Sequence, residues 1–192
     1  MNRFRSSFLM FIIFVTGCSV VTRNVASNYF KTTIDKNMER ISIESDFSLV
    51  LSMDVIHIND EVRRAYTEEY AKLYLLTPDE KEKMLKEQER QNKRWEAFYL
   101  IVYTAPNMDS SLDSPDSIWR LYLKADNHIE PPASIDEITS QRDIMKGFFP
   151  WINSWDRVYL VRFKKQPVEH SNKIKFIVTG ILGRGEANFK GG

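Results

Sequence analysis

From Phe47 onward apolar and polar residues alternate: Phe47, Leu49, Leu51, Met53 and Val55 are interleaved with Ser48, Val50, Ser52 and Asp54. A period of two is that of a strand with one buried face. Ile41 and Ile43 predict a shorter strand ahead of it. The period then changes. Asn59 and Asp60 are good caps, and Val62, Tyr66, Leu73 and Leu76 recur at helical spacing, predicting a helix over 60–75. Thr77-Pro78-Asp79-Glu80 starts a second helix over 78–95, with a Thr cap, proline in the first turn and the glutamate a capping box needs. Between Lys81 and Arg94 only Met84 and Leu85 are apolar, while Glu82 with Lys86 and Glu89 with Lys93 stand at supportive i,i+4 spacing. That helix is expected on the solvated surface, either lying along the body or projecting as an arm that meets a partner or membrane headgroups.

Strand patterns return after it. Ala97–Thr104 is apolar on both faces and suits a central strand, and Ile118–Lys124 predicts another. Arg157–Phe163 and Ile174–Ile181, joined by polar residues 164–173, read as an antiparallel hairpin. Gly183-Arg184-Gly185 turns the chain into a short last strand, Glu186–Phe189. Ser140 with Asp143 is expected to open a short helix ending near Gly147. Parallel pairing needs crossover connections, and most of these strands lack one. The fold class is therefore mainly β with a helical insertion (α+β): an antiparallel β-sandwich with an inserted helical hairpin at about 60–95, or an open antiparallel sheet covered by helices. The sandwich would be immunoglobulin-like in architecture only, because paired cysteines are absent.

The first residues stand apart from this body. Arg3 and Arg5 precede eight consecutive apolar residues, Phe8–Val15, followed by Thr16-Gly17-Cys18. As a helix the apolar run spans about 12 Å, too short for a bilayer core that asks for about 20 residues. A basic start, a short apolar run and small residues form the pattern of a cleaved leader. Val15-Thr16-Gly17-Cys18 resembles the lipobox of bacterial lipoprotein precursors, and the resemblance covers about 20 of the 192 residues. It implies that Cys18 receives a diacylglyceryl group, that residues 1–17 are removed and that the new amino group is acylated. Two or more acyl chains make such anchoring stable. Ser19, where an aspartate would favour the inner membrane, implies the outer membrane facing the periplasm. Cys18 is the only cysteine, so no internal disulfide is available and lipidation disposes of a free thiol. Residues 18–38 read as a lipid-anchored tether and 39–192 as one globular domain.

Composition narrows the function classes. Removing residues 1–17 takes away two arginines and no acidic residue, leaving 25 basic side chains against 26 acidic. That balance does not fit a nucleic-acid binder. Aromatics at 12% with only 7 glycines exclude a low-complexity chain.

No motif names a reaction. Asp109, Ser111 and Asp113 match the first, third and fifth positions of a calcium loop, but Ser114 and Arg120 break the pattern, so a solvated turn is the reading. Gly180-Ile-Leu-Gly183-Arg-Gly185 lacks the following helix of a phosphate loop and reads as a hairpin turn. His57, His128 and His170 share no ligand spacing. No catalytic residue, metal or cofactor is expected. The densest oddity is Phe148-Phe149-Pro-Trp151-Ile-Asn-Ser-Trp155, four large rings within eight residues. They are either a core plug or a contact surface for partner or ligand. The expectation is a non-catalytic, lipid-anchored structural or interaction module with the membrane and an envelope protein as partners. The alternative is a carrier or sensor of an apolar, lipid-like ligand, which predicts a dry cavity of several hundred Å³.

Overall fold

The computed structural model describes residues 26–105, 111–165 and 171–191. The leader, Cys18, Asp109 and His170 lie outside the described residues. The elements in order are α1 (Asn28–Lys36), β1 (Met38–Ser45), β2 (Ser48–His57), α2 (Asp60–Leu73), α3 (Pro78–Arg94), β3 (Trp95–Thr104), β4 (Trp119–Ala125), β5 (His128–Glu130), β6 (Ser134–Glu137), α4 (Arg142–Phe148), β7 (Arg157–Lys164), β8 (Lys173–Gly180) and β9 (Gly183–Lys190). They make a mixed α+β fold with two antiparallel sheets, one ordered β1-β2-β3-β7-β6 and the other β5-β4-β8-β9. Among the described residues no helix is long and apolar enough to cross a membrane.

Both helices of the inserted hairpin form where their caps predict. Asn59 Oδ1 accepts the Val62 amide at 3.0 Å, and Thr77 with Glu80 closes a capping box around Pro78. α3 buries no residue, as its run of charged side chains requires. β3 lies in the middle of its sheet, with Leu100 opposite Val55 on one side and Tyr159 on the other.

The two faces of β3 serve two cores. Phe98, Leu100 and Val102 join Leu51, Met53, Val55, Tyr159, Val161 and Phe163 of their own sheet and Trp119, Leu121, Leu123, Phe176 and Val178 of the four-stranded sheet in one buried cluster. Ala97 and Ile101, pointing the other way as alternation demands, join Phe30 and Ile34 of α1, Val62 and Ala65 of α2 and Met145, Phe148 and Phe149 of the α4 region in a second. Ile41 and Ile43 of β1 pack where β9 has only glycine. A Cβ on Gly185 would lie 2.1 Å from Ile41, and one on Gly183, at φ +149°, would lie 2.6 Å from Ile43.

Several expectations change. Residues 28–38, read as tether, form α1 and the start of β1, with Phe30 and Ile34 buried. Phe47 is fully exposed rather than core. It shares with Asp46 a two-residue turn in which both residues have positive φ (60° and 50°), the geometry a tight hairpin needs, and this takes it out of the strand's alternation. Leu49 is also exposed, near the start of β2. β7 and β8 do not pair as a hairpin: both edges of β7 are taken, by β3 and β6, while β8 lies between β4 and β9 in the other sheet. β5 and β6 flank Pro131-Pro132 and carry no strand pattern long enough to predict them. The short helix starts after Gln141, without a side-chain cap, instead of at a Ser140 cap.

Two glycines separate packing from propensity. A Cβ on Gly180 would lie 2.4 Å from the Ile118 carbonyl oxygen and 2.8 Å from the Trp119 ring, so Gly180→Ala should cost about 1–3 kcal/mol. A Cβ on Gly147, inside α4, would meet nothing within 4 Å, so Gly147→Ala should stabilise by about 0.5–1 kcal/mol. Urea midpoints of the two variants read both signs.

Candidate functional site

The second core is incompletely filled. Between α1, α2 and α3 on one side and the outer face of β3 and β7 on the other lies a cleft of about 180 Å³. Phe30 and Ile34 of α1 and Val62 and Tyr66 of α2 form its helical wall. Its floor is Ala97 and Tyr99 of β3, Phe149 and Leu160. Helical spacing that puts Val62 and Tyr66 against the sheet also carries the neighbouring Arg63 to the edge of that face. α3 contributes its polar side, Gln88 and Gln91.

Arg63 is buried at 7% exposure. Its Nη1 donates to Gln88 Oε1 at 2.8 Å and its Nε to Asn92 Oδ1 at 3.3 Å. Burial pushes its pKa down from the ordinary guanidinium value, against the charges of Tyr99, Glu96 and Asp60. Arg162 of β7 also lines the cleft. Its Nη1 donates to Asp136 at 2.6 Å. Burial raises the Tyr99 phenol, opposed by the two arginines, and burial raises Tyr66 likewise. The result is an aromatic-walled recess of mixed polarity, with two guanidiniums on its lining and the Tyr66 and Tyr99 phenols held protonated near neutral pH.

The aromatic segment divides. Phe148 and Phe149 are buried at 2% and 1%, Phe148 edge-on to Phe30 at 5.6 Å and Phe149 edge-on to Trp151 at 5.6 Å. Of these four rings, Phe149 alone reaches the cleft. Trp151 is half-buried, and its Nε1 is buried without a hydrogen-bond partner. Trp155 is 70% exposed. Both tryptophans border a separate, shallower depression of about 400 Å³ beside the Arg40–Asp54 ion pair. Their loop is pinned: Arg142 donates to the carbonyls of Asn153, Ser154 and Asp156 at 2.8, 2.7 and 2.6 Å. The segment is thus a plug at one end and a surface at the other.

A polar cluster that the sequence does not reveal sits at the edge of the first core. His57 ends β2, Glu96 lies near the start of β3, and antiparallel register brings them together. His57 Nε2 is hydrogen bonded to Glu96 Oε1, both side chains being nearly inaccessible. Lys165 Nζ lies 3.4 Å from Glu96 Oε2. Burial pushes the Glu96 carboxyl up, but His57, through its hydrogen bond and charge, and Lys165 together outweigh it and hold the group below the usual carboxylate range. The His57 ring stacks on Phe98 at 5.0 Å. The cluster borders an open polar depression of about 390 Å³ whose described lining contains no serine, threonine or cysteine. His57 at the end of an alternating strand was the available signal; its partner, 39 residues on, was not visible as one.

Of the remaining candidates, Ser111 donates to Asp113 and accepts from Arg157 at 3.2 Å, while the Asp116 amide donates to Ser114 Oγ at 3.2 Å. These are turn contacts. His128 lies 3.0 Å from Glu130 on the exposed β5. Among the described residues no group of three His, Cys, Asp or Glu side chains gathers as a metal site. The chain matches no family model, no curated protein and no solved structure.

The plug and the surface ring should respond differently to truncation. Phe148→Ala is expected to lose about 3–5 kcal/mol and Trp155→Ala to stay within about 0.5 kcal/mol, both read from urea unfolding. Glu96→Gln should cost on the order of 3 kcal/mol near neutral pH, since it leaves His57 and Lys165 without their buried carboxylate. Because the folded-state pKa of Glu96 is depressed, its contribution is present above the unfolded carboxylate range and lost as pH falls through the folded value. The gap between the native protein and Glu96→Gln should therefore narrow as pH falls from about 5 to about 3, measured as unfolding free energy at each pH.

Proposed function

We propose that the protein is a lipid-anchored lipoprotein of the bacterial cell envelope, held through Cys18 at the periplasmic face of the outer membrane. Its folded body is a non-catalytic module that holds an envelope protein partner. The observation that carries the anchoring is the run from Arg3 through Phe8–Val15 to Thr16-Gly17-Cys18. The way the chain enters the fold supports it. The Ser27 amide and hydroxyl both donate to the Glu69 carboxylate, at 2.9 and 2.6 Å. Ser27 lies nine residues after Cys18, a reach of at most about 32 Å, so a lipid at Cys18 keeps the body beside the bilayer. One turn beyond Glu69, α2 ends at Leu73 and the chain runs on through Tyr74 and Leu75, the three exposed at 40, 45 and 88%, which suits the side of the body nearest lipid. We read the two sheets as the layers of one sandwich, supported by the cluster they share; the immunoglobulin likeness is one of architecture.

A second reading concerns small ligands, and the cleft favours it. Phe149, Ala97 and Leu160 line one side of a partly open recess, as a carrier or sensor of an apolar ligand needs. At about 180 Å³ it is smaller than the several hundred Å³ typical of drug-sized ligands, so the occupant is small.

Labelling cells with isotopic palmitate tests the anchor. The native chain should carry label and appear at the size of residues 18–192, whereas Cys18→Ala should remain unlabelled at precursor size. A Cys18→Ala protein that is still cut and still membrane-held would overturn the reading.

A further inference from the structure

One side of the cleft is apolar, and the other carries Arg63 among neutral amides, with no carboxylate bonded to it among the described residues. Among the described residues the hydrogen-bond partners of Arg63 are the neutral amide oxygens of Gln88 and Asn92. Buried cations are ordinarily paired, because surroundings of low polarity penalise an isolated charge. The nearby acids are otherwise engaged. Glu96 points to the opposite face of β3 from Ala97 and is held by His57 and Lys165. Asp60, in the first turn of α2, accepts from Asn92 at 2.7 Å. Arg162, the second guanidinium on the cleft, pairs with Asp136 through Nη1.

We infer that the cleft binds a small organic monocarboxylate, with the carboxylate on Arg63 and an apolar body, the size of one aromatic ring or a short alkyl chain, against Phe149, Ala97 and Leu160. The inference rests on the small-ligand reading above and adds the charge. The size follows from the volume: an apolar cavity of about 150 Å³ accepts benzene, and the recess here is about 180 Å³. With Nε and Nη1 bonded to Asn92 and Gln88, a carboxylate meets Arg63 at Nη2, and charge-assisted bonds of this kind are about twice as strong as neutral ones. Phe149, Ala97 and Leu160 give the ligand's apolar body a surface that a freely hydrated inorganic anion could not use.

Phenylacetate and hexanoate, against their neutral counterparts 2-phenylethanol and hexanol, provide the test. Binding to the full chain in detergent is followed by calorimetry and by amide chemical shifts, with protein-free micelles as the blank. The carboxylates are expected to bind at least about tenfold tighter than the alcohols, shifting the amides of Ala97, Phe149 and Leu160. Arg63→Met should abolish that preference and Arg63→Lys should restore part of it. Shift mapping on the native chain keeps the test independent of how the variants fold. Equal binding of acids and alcohols would overturn the charge assignment while leaving an apolar-ligand cleft in place. Binding of neither would remove both, and neither result bears on palmitate labelling at Cys18. Carboxylate binding unchanged in a folded Arg63→Met would also overturn the inference.

Discussion

Strand β3 is apolar on both faces and sits at the middle of the five-stranded sheet, and burying both faces is the constraint around which the molecule is built. One face is covered by the second sheet, whose Trp119, Leu123 and Phe176 meet Phe98 and Leu100. The other is covered by helices and by the segment after α4. A sheet with only one buried face would leave Ala97, Ile101 and their neighbours against water, and each large side chain so exposed forfeits about 1.5–3 kcal/mol. The helical pieces are therefore structural necessities: α1 brings Phe30 and Ile34, α2 brings Val62 and Ala65, and α4 brings Met145 and Phe148 to the same surface.

Covering a twisted sheet with helices leaves gaps where the two surfaces diverge. The cleft over Ala97 and Leu160 is such a gap, bounded by α3, which contributes only polar side chains because it buries none. Filling it would take a large apolar residue at Arg63 or Gln88. Instead the hairpin sets a guanidinium and two amides at its rim, so the feature that makes α3 a poor packing element makes the recess chemically distinctive. The two sheets meet more tightly, with glycines in β9 admitting Ile41 and Ile43.

The His57–Glu96–Lys165 cluster marks the end of the first core, where β2 and β3 leave the layer between the sheets. A buried carboxylate there is tolerable because a histidine and a lysine supply its hydrogen bonds and countercharge together. The stacking of His57 on Phe98 ties this polar cap to the apolar cluster beneath.

Much of the local structure was legible from residues alone. The caps at Asn59 and Thr77 set where α2 and α3 begin, the polarity of Lys81–Arg94 set α3 on the surface, and the doubly apolar Ala97–Thr104 marked a central strand. These are short-range matters of hydrogen-bond satisfaction and burial that a few neighbouring side chains decide. Pairing was legible at the tight turn between β8 and β9 but not across the longer connection before it: β7 and β8 are neighbours in sequence with suitable patterns, yet β7 pairs with β3 and β6 and β8 with β4 and β9. Phe47 fell outside the core because a tight turn claimed it, and Phe148 and Trp155, alike in sequence, parted into plug and surface. Nothing in the sequence sets Arg63 apart from the other charges of α2, or Glu96 from the polar residues that flank strands. What buries a charge, and what it then faces, depends on which elements meet across dozens of residues, and only the tertiary structure decides that.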